Sequence, residues 1–320
     1  ENTMKKMLAL VCALAMIVSM SACAFADYTP SGEFNIRVFA KAGGVADIVT
    51  RIAAQGLQEQ YGATAIVNNL TGANGAVAVS DMNAYDPSIN ELSVVSMGLF
   101  TMGPLMNPEL GIKFEDYDVV ASLIRDEFVL YVSKNSGIKS WEDLVAYAAQ
   151  NPVTYASNTP GGNTHIVQTA LFGDADIVAE ALTSSGSNQD ILAVMSGDAI
   201  CTAATVTLGM PYVESGDLIP LLVFSENDCT AFPGITVPSV TSLGYNVCVP
   251  SINFIVCRAG VSEEEVEGLY NAIVSYRDTD AFKEAAAAAN YTPDNTTPAE
   301  LHDEIDRVAK ICEEIFNKYY

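Results

Sequence analysis

Three short segments rich in Gly, Ser, Thr and Asn carry the clearest chemical signal in the chain. They are AKAGGVAD (Ala40 to Asp47), NNLTGANGA (Asn68 to Ala76) and SNTPGGNTH (Ser157 to His165). Each follows a strand-like run and precedes a helix-like one. The first amides of a helix lack intrahelical partners and carry partial positive charge, and glycine lets a ligand come close to the backbone. Such a segment can hold a carboxylate without Lys or Arg. One segment alone reads as a tight turn and a helix cap; three in series point to a binding site.

Catalysis has less to draw on. The two histidines are His165 and His302, and the chain contains no G-x-S-x-G, H-E-x-x-H or G-x-x-x-x-G-K-[ST]. A secreted hydrolase would have to use His165 with a nearby Ser or Thr, and that alternative stays open. His302 lies in ELHDEID, where acids at helical spacing describe a solvated face rather than a metal site. Neither a metal nor a cofactor is expected. Cys201, Cys229, Cys248, Cys257 and Cys312 show no C-x-x-C spacing, which argues against zinc. If a disulfide forms, Cys229 and Cys248 are the nearest in sequence, and the pairing is open.

Composition sets the remaining bounds. With 39 acidic and 15 basic residues the formal net charge is -24, which argues against a nucleic-acid partner. A chain of 320 residues with 50% hydrophobic content can bury one large or two medium cores. At the N-terminus Met4, Lys5 and Lys6 precede an apolar run from Met7 to Ala22, shorter than the roughly 20 residues of a spanning helix. Residues 1–26 therefore read as a signal peptide, and the mature protein is expected outside the cytoplasm. Cleavage after AFA (Ala24 to Ala26) and lipidation of Cys23 in MSAC (Met20 to Cys23) both remain possible.

The elements that must position the three segments alternate. Strands are expected at Phe34 to Phe39, Ala63 to Asn68, Glu91 to Met97, Asp118 to Ile124, Phe128 to Ser133, Val153 to Ser157, Asp176 to Leu182, Ala199 to Ala204, Leu218 to Phe224 and Pro250 to Gly260. Helical spacing marks Ala46 to Gln60, Gly75 to Ala84, a Ser-capped run from Ser140, another from Ser262, and a last helix after Pro298. In that last helix Leu301, Ile305, Val308, Cys312, Ile315 and Tyr319 form one apolar face. The rhythm implies βαβ units and two α/β sheets. No internal repeat is evident.

The stretch RVFAKAGGVADIVTRIAAQGLQEQYGATAIVNNLTGANGAVA (Arg37 to Ala78) resembles the opening of substrate-binding receptors of tripartite tricarboxylate transporters, the Bug family. VTYASNTPGGNTHIVQTALF (Val153 to Phe172) and PSVTSLGYNV (Pro238 to Val247) resemble two further family segments, in the family's order. The resemblance implies a two-domain periplasmic-binding-protein-like fold of type II. Each domain would be a mostly parallel sheet flanked by helices, with the ligand cleft between. Domain 1 would be 27–124 plus 250–320 and domain 2 would be 125–249. It implies an exported monomeric receptor that captures a small organic acid, a di- or tricarboxylate or a relative, and hands it to one large and one small membrane subunit. A sensor or scavenger of the same fold is the alternative within binding.

Carried over position by position, the ligand set is Ala42, Gly43, Gly44 and Asp47; Asn69, Gly72, Ala73 and Gly75; and Ser157, Gly162, Thr164 and His165. Lys41, Thr159, Gly161, Asn163 and Ser185 join it as neighbours in the same loops. Asp47 in a first helical turn can cap amides as well as meet a ligand. Met97 and Met102 can form a cleft wall or fill core, and Tyr155 and Trp141 are assigned to packing. The family's Glu and Arg of the second loop are Asn68 and Leu70 here, and an Asp usual near the end of the central strand of domain 2 is absent from CTAATVTL (Cys201 to Leu208). That absence favours a ligand without an amine. Lys41 replaces a small residue and is the cation placed to reach the cleft, as a second anchor or as a solvent-facing side chain.

Overall fold

The computed structural model describes residues 28–72, 75–157, 160–184, 186–288, 291 and 293–320. The expected signal segment, including Cys23, lies outside them, as do Ala73, Thr159 and Ser185. In chain order the elements are β1 (Glu33–Val38), α1 (Val45–Tyr61), β2 (Thr64–Asn69), α2 (Ala76–Met82), β3 (Glu91–Ser96), the short α3 (Gly103–Met106), β4 (Tyr117–Asp126) and β5 (Phe128–Ser133). Next come α4 (Trp141–Ala148), β6 (Val153–Ser157), α5 (Asn163–Asp174), β7 (Ala179–Thr183), α6 (Ser187–Ser196), β8 (Cys201–Thr205), α7 (Val206–Glu214) and β9 (Leu218–Val223). The chain closes with β10 (Ser251–Arg258), α8 (Glu263–Arg277), α9 (Asp280–Ala288) and α10 (Pro298–Tyr319).

Two five-stranded sheets result, ordered β2-β1-β3-β10-β4 and β7-β6-β8-β5-β9. In each, three strands pair in parallel and a fourth runs the same way across one antiparallel strand, β10 in the first sheet and β5 in the second. The odd strand is in both cases the one by which the chain enters that sheet from the other. The mostly parallel α/β architecture expected from sequence is thus present as two mixed sheets. Their identical order is also a structural repeat, which reading the residues did not reveal because the repeated elements share little sequence.

Only Glu127 separates β4 from β5, and Asp126 at that joint is register partner to Ser251, where β10 begins. The two crossings therefore run side by side. The expected start of the seventh strand at Asp176 comes too early; Asp176 has φ 55 in a turn, and the strand opens at Ala179.

Local chemistry explains most boundaries. Ser140 accepts from Asp143 N at the start of α4, and Ser262 with Glu265 and Thr297 with Glu300 form reciprocal capping boxes on α8 and α10. The apolar face expected on α10 is buried, and it packs in one cluster with Leu130 and Val132 of β5 and with Ile166, Val167 and Leu171 of α5. Its end reaches the second sheet's helix directly, since Lys318 Nζ lies 2.6 Å from Asp174 Oδ1. Cys229 and Cys248 are both free; Cys248 Sγ lies 3.3 Å from Thr241 Oγ1.

Helix α1 approaches α8 closely through Gly56. A methyl there would stand 2.3 Å from Cδ1 of the buried Tyr276 ring. In an open helix Gly→Ala gains about 1 kcal/mol, whereas forcing atoms into a packed contact costs about 1–3 kcal/mol. Gly56→Ala is therefore expected to lower the thermal midpoint, and a raised midpoint would show that the two helices do not meet there.

Candidate functional site

The first and third glycine-rich segments are conformational twins. Beyond β1, Gly43 sits in the left-handed region at φ 78 and Gly44 is the extended N-cap of α1 at φ -75, ψ 162. Beyond β6, Gly161 has φ 74 and Gly162 is the N-cap of α5 at φ -77, ψ 164. Side chains at φ near +75° are strained, so the first glycine of each pair is set by backbone geometry. Neither N-cap residue supplies a side-chain cap. In both loops the left-handed glycine donates its N–H to the residue four positions on: Gly43 to Asp47 Oδ2 at 2.9 Å and Gly161 to His165 Nδ1 at 3.3 Å.

Both loops, with the turns after β2 and β7, lie at the carboxyl ends of parallel strands, where open α/β sheets bind ligands. The segment after β3 meets the third loop across the gap between sheets. A methyl on Gly98 would lie 2.7 Å from Asn163 Oδ1, and one on Gly161 would lie 2.7 Å from Met106 Cε. Met106 is thus the methionine at the facing wall. Met97 and Met102 are buried in the core, and Trp141 and Tyr155 pack there as expected.

The twins differ in what already occupies them. Asp47 is buried, and besides Gly43 it accepts from Arg51 Nε and from Asn69 Nδ2, the latter at 2.9 Å. Asn69 also donates to Ala40 O at 2.9 Å and accepts from Arg51 at 3.2 Å. These two members of the expected ligand set are therefore joined to each other, bracing the first loop against the second. Burial pushes the Asp47 carboxyl up, but the hydrogen bonds from Arg51, Gly43 and Asn69 outweigh it and hold the group below the usual range. Lys41, Ala42 and Gly43 are exposed. Lys41 contributes its carbonyl, which accepts Gly44 N–H at 3.0 Å. In the second loop Gly72 is exposed, while Gly75 closes against Phe39 and Leu99.

The third loop carries no such carboxylate. Ser157 is fully buried and Thr164 is 5% exposed, yet neither hydroxyl has a hydrogen-bond partner among the described residues. Gly161 and Gly162 are buried, and Asn163 and His165 are half-buried. Tyr320 Oη stands 2.7 Å from His165 Nδ1. With Gly161 N–H directed at the same nitrogen, Nδ1 is the acceptor and the ring's proton sits on Nε2. Burial lowers the His165 pKa. Among the described residues no Ser or Thr hydroxyl bonds to His165; the hydroxyl that meets its ring is that of Tyr320.

Sequence reasoning missed Arg51, Gln168 and Asp190. Arg51 could have been found as the i,i+4 partner of Asp47. Gln168 holds the start of α5 through Nε2, donating to Ala156 O and Thr164 O at 3.1 and 2.8 Å. Asp190 lies buried in the first turn of α6; nothing in its sequence context distinguished it from a capping acid.

Residues 49–316 match the family model described as "Tripartite tricarboxylate transporter family receptor". The chain is 25% identical to protein BugT of Bordetella pertussis, covering 97% of this chain and 98% of BugT. Its fold is similar to that of a TctC solute-binding protein from Polaromonas, with TM-score 0.77 at 20% identity, covering 91% of this chain and 100% of that one. It is also similar to an R. palustris protein solved with adipate, with TM-score 0.76 at 20% identity over 91% of this chain and 98% of that one. The described residues contain no helix long and apolar enough to cross a membrane.

The Asp47 network has a signed pH dependence. A carboxyl whose folded pKa lies below its unfolded value adds stability above the unfolded pKa, near 4, and loses it as pH falls through the folded value. Asp47→Ala should cost about 1–3 kcal/mol at pH 7. Chemical denaturation at several pH values should show the gap between wild type and variant closing below about pH 4. A gap that stays constant down to pH 3 would mean that Asp47 is not the charged brace described.

Proposed function

We propose, from the premise that the chain belongs to the tripartite tricarboxylate transporter receptor family, that it is an extracytoplasmic receptor for a small carboxylate, which it binds and releases unchanged. One carboxylate oxygen pair is held at the start of α5 by the first-turn amides and by the hydroxyls of Ser157 and Thr164. The observation that carries this reading is the pair of buried hydroxyls, unpartnered among the described residues, at a helix N-terminus without a side-chain cap. A carboxylate offers about four lone-pair sites to such donors. Each buried hydroxyl left unsatisfied costs about 1–3 kcal/mol, so a ligand that accepts from both recovers a free energy worth roughly tenfold in affinity for each 1.4 kcal/mol.

The facing wall is the segment from Gly98 to Met106, with the first loop and Lys41 at the rim. Lobes 27–124 plus 250–320 and 125–249 close on the ligand by bending at Glu127 and at the return before Ser251, a hinge of a few residues at element ends. The adipate of the R. palustris relative supports a carboxylate as the ligand class. The closed, loaded receptor docks on an integral-membrane transporter.

A calorimetric titration with the best ligand from a panel of succinate, malate, adipate and benzoate tests the anchor. Thr164→Val and Ser157→Ala are each expected to raise Kd about tenfold. Because they remove hydroxyls that lack partners, they should leave the thermal midpoint of the free protein unchanged or higher. Unaltered affinity in both variants would place the ligand elsewhere, and conversion of the acid to a product would make the protein an enzyme.

A further inference from the structure

Among the described residues, five of the six buried side-chain atoms without a hydrogen-bond partner belong to four residues of the second sheet's layer: Ser157 Oγ, Thr164 Oγ1, Gln168 Oε1 and both carboxylate oxygens of Asp190. The first three lie on β6 and α5, and the anchor described above accounts for the two hydroxyls. Asp190 is a different problem. It is 0% exposed, in a chain that has no Lys or Arg from residue 140 to residue 257. An ionised carboxylate buried with no cation, and with the Ser184 hydroxyl as the side chain acting to favour its charge, is costly, and such a group is driven toward taking up a proton.

The surroundings of Asp190 connect it to the anchor. Its own N–H bonds to Gly186 O at 3.1 Å, in the loop that follows β7. In that loop Ser184 donates its N–H to Ser157 O at 3.0 Å, which ties the loop to the residue whose hydroxyl is unpartnered. The Ser184 hydroxyl is exchanged with Gly186, donating to its carbonyl at 3.0 Å and accepting from its N–H at 3.2 Å. Residues next to Asp190 on α6 pack on Val129 and Tyr131 of β5, Ala156 of β6 and Ala204 of β8. Of these only Tyr131 titrates, and burial pushes it well above the usual tyrosine range. Burial likewise raises the Asp190 carboxyl, with the Ser184 hydroxyl acting in the opposite sense.

We propose that Asp190 serves the carboxylate anchor as a neutral acid, so that capture of the anionic ligand is coupled to uptake of a proton on Asp190. The proposal rests on the receptor reading above. An ionised Asp190 beneath the loop would repel the incoming carboxylate and expose an uncompensated buried charge; the protonated acid does neither and supplies one O–H donor to the loop after β7. The ligand's charge in turn favours the proton, since a like charge nearby disfavours ionisation. Binding is then strongest at pH values where Asp190 holds its proton and weakens as pH rises through its pKa. Asp190 is a positioning residue here and need not touch the ligand.

Adipate is titrated calorimetrically into the wild-type protein from pH 5.5 to 9, in pairs of buffers with different ionisation enthalpies. Net proton uptake on binding is expected, with affinity falling by as much as tenfold per pH unit above the pKa of Asp190. Asp190→Asn keeps the shape and removes the charge, so it should bind adipate as tightly as wild type does at low pH and show a flattened profile. His165 can also gain a proton when an anion binds, and it remains in the variant; a slope that persists in Asp190→Asn therefore assigns the proton to His165 and overturns the proposal. Wild-type binding without proton uptake overturns it too, whether or not the variant folds, as does a folded Asp190→Asn that no longer binds. Failure of adipate, succinate, malate and benzoate alike to bind would instead overturn the receptor reading, and this proposal with it.

Discussion

One constraint governs the stretch that builds most of the second sheet: its own residues can hold an anion only without a cation. Between Lys139 and Arg258 the sequence offers neither Lys nor Arg. The donors that remain are backbone amides, hydroxyls, side-chain amides such as those of Asn163 and Gln168, and a half-buried histidine. Amides become available in number only where a helix begins, and they reach a ligand only if the residues before the helix have no side chain in the way. The Gly161–Gly162 pair satisfies both demands, and the hydroxyls of Ser157 and Thr164 stand beside it without partners among the described residues.

The first loop shows what happens when the same backbone carries its own anion. Gly43 and Gly44 repeat the dihedral angles of Gly161 and Gly162 closely, but the residue four beyond the first glycine is Asp47 rather than His165. Asp47 takes the amide of Gly43, and Arg51 and Asn69 balance it. One twin is thus closed by a resident carboxylate, while the other holds none, and in the receptor reading proposed above its donors are left for a ligand. The overall acidity of the chain matters less than this local difference, because exposed charges more than about 10 Å away are largely screened by salt.

Much of this was legible in the residues. All ten strands are found close to where alternation placed them, since strand runs of β-branched and aromatic residues were bounded by Gly, Pro and Asn, and the helix starts at Ser140, Ser262 and Pro298 follow from their caps. The alternation already implied two α/β sheets; the resemblance to a receptor family added that the chain returns to the first of them at its last strand, as β10 does. The sequence was silent on long-range facts. It did not show that the two loops share one conformation, because that repeat lives in dihedral angles. It left Lys41 open between a second anchor and a solvent-facing side chain, and it did not single out Arg51, which is joined to Asp47 of the first loop through a helical i,i+4 contact. Nor could it separate the buried Asp190 from the many acids on helix surfaces; burial depends on which face of the sheet each crossover helix covers.

The central claim is that a ligand carboxylate sits at the start of α5 and draws on amides and hydroxyls alone. A crystal structure with a bound carboxylate from the panel tests it most directly. The account predicts carboxylate oxygens within about 3 Å of the first-turn amides of α5 and of the Ser157 and Thr164 hydroxyls, with the segment from Gly98 to Met106 closed over the ligand. A carboxylate seated instead on Lys41 or Arg51, with both hydroxyls still unpartnered, would contradict it.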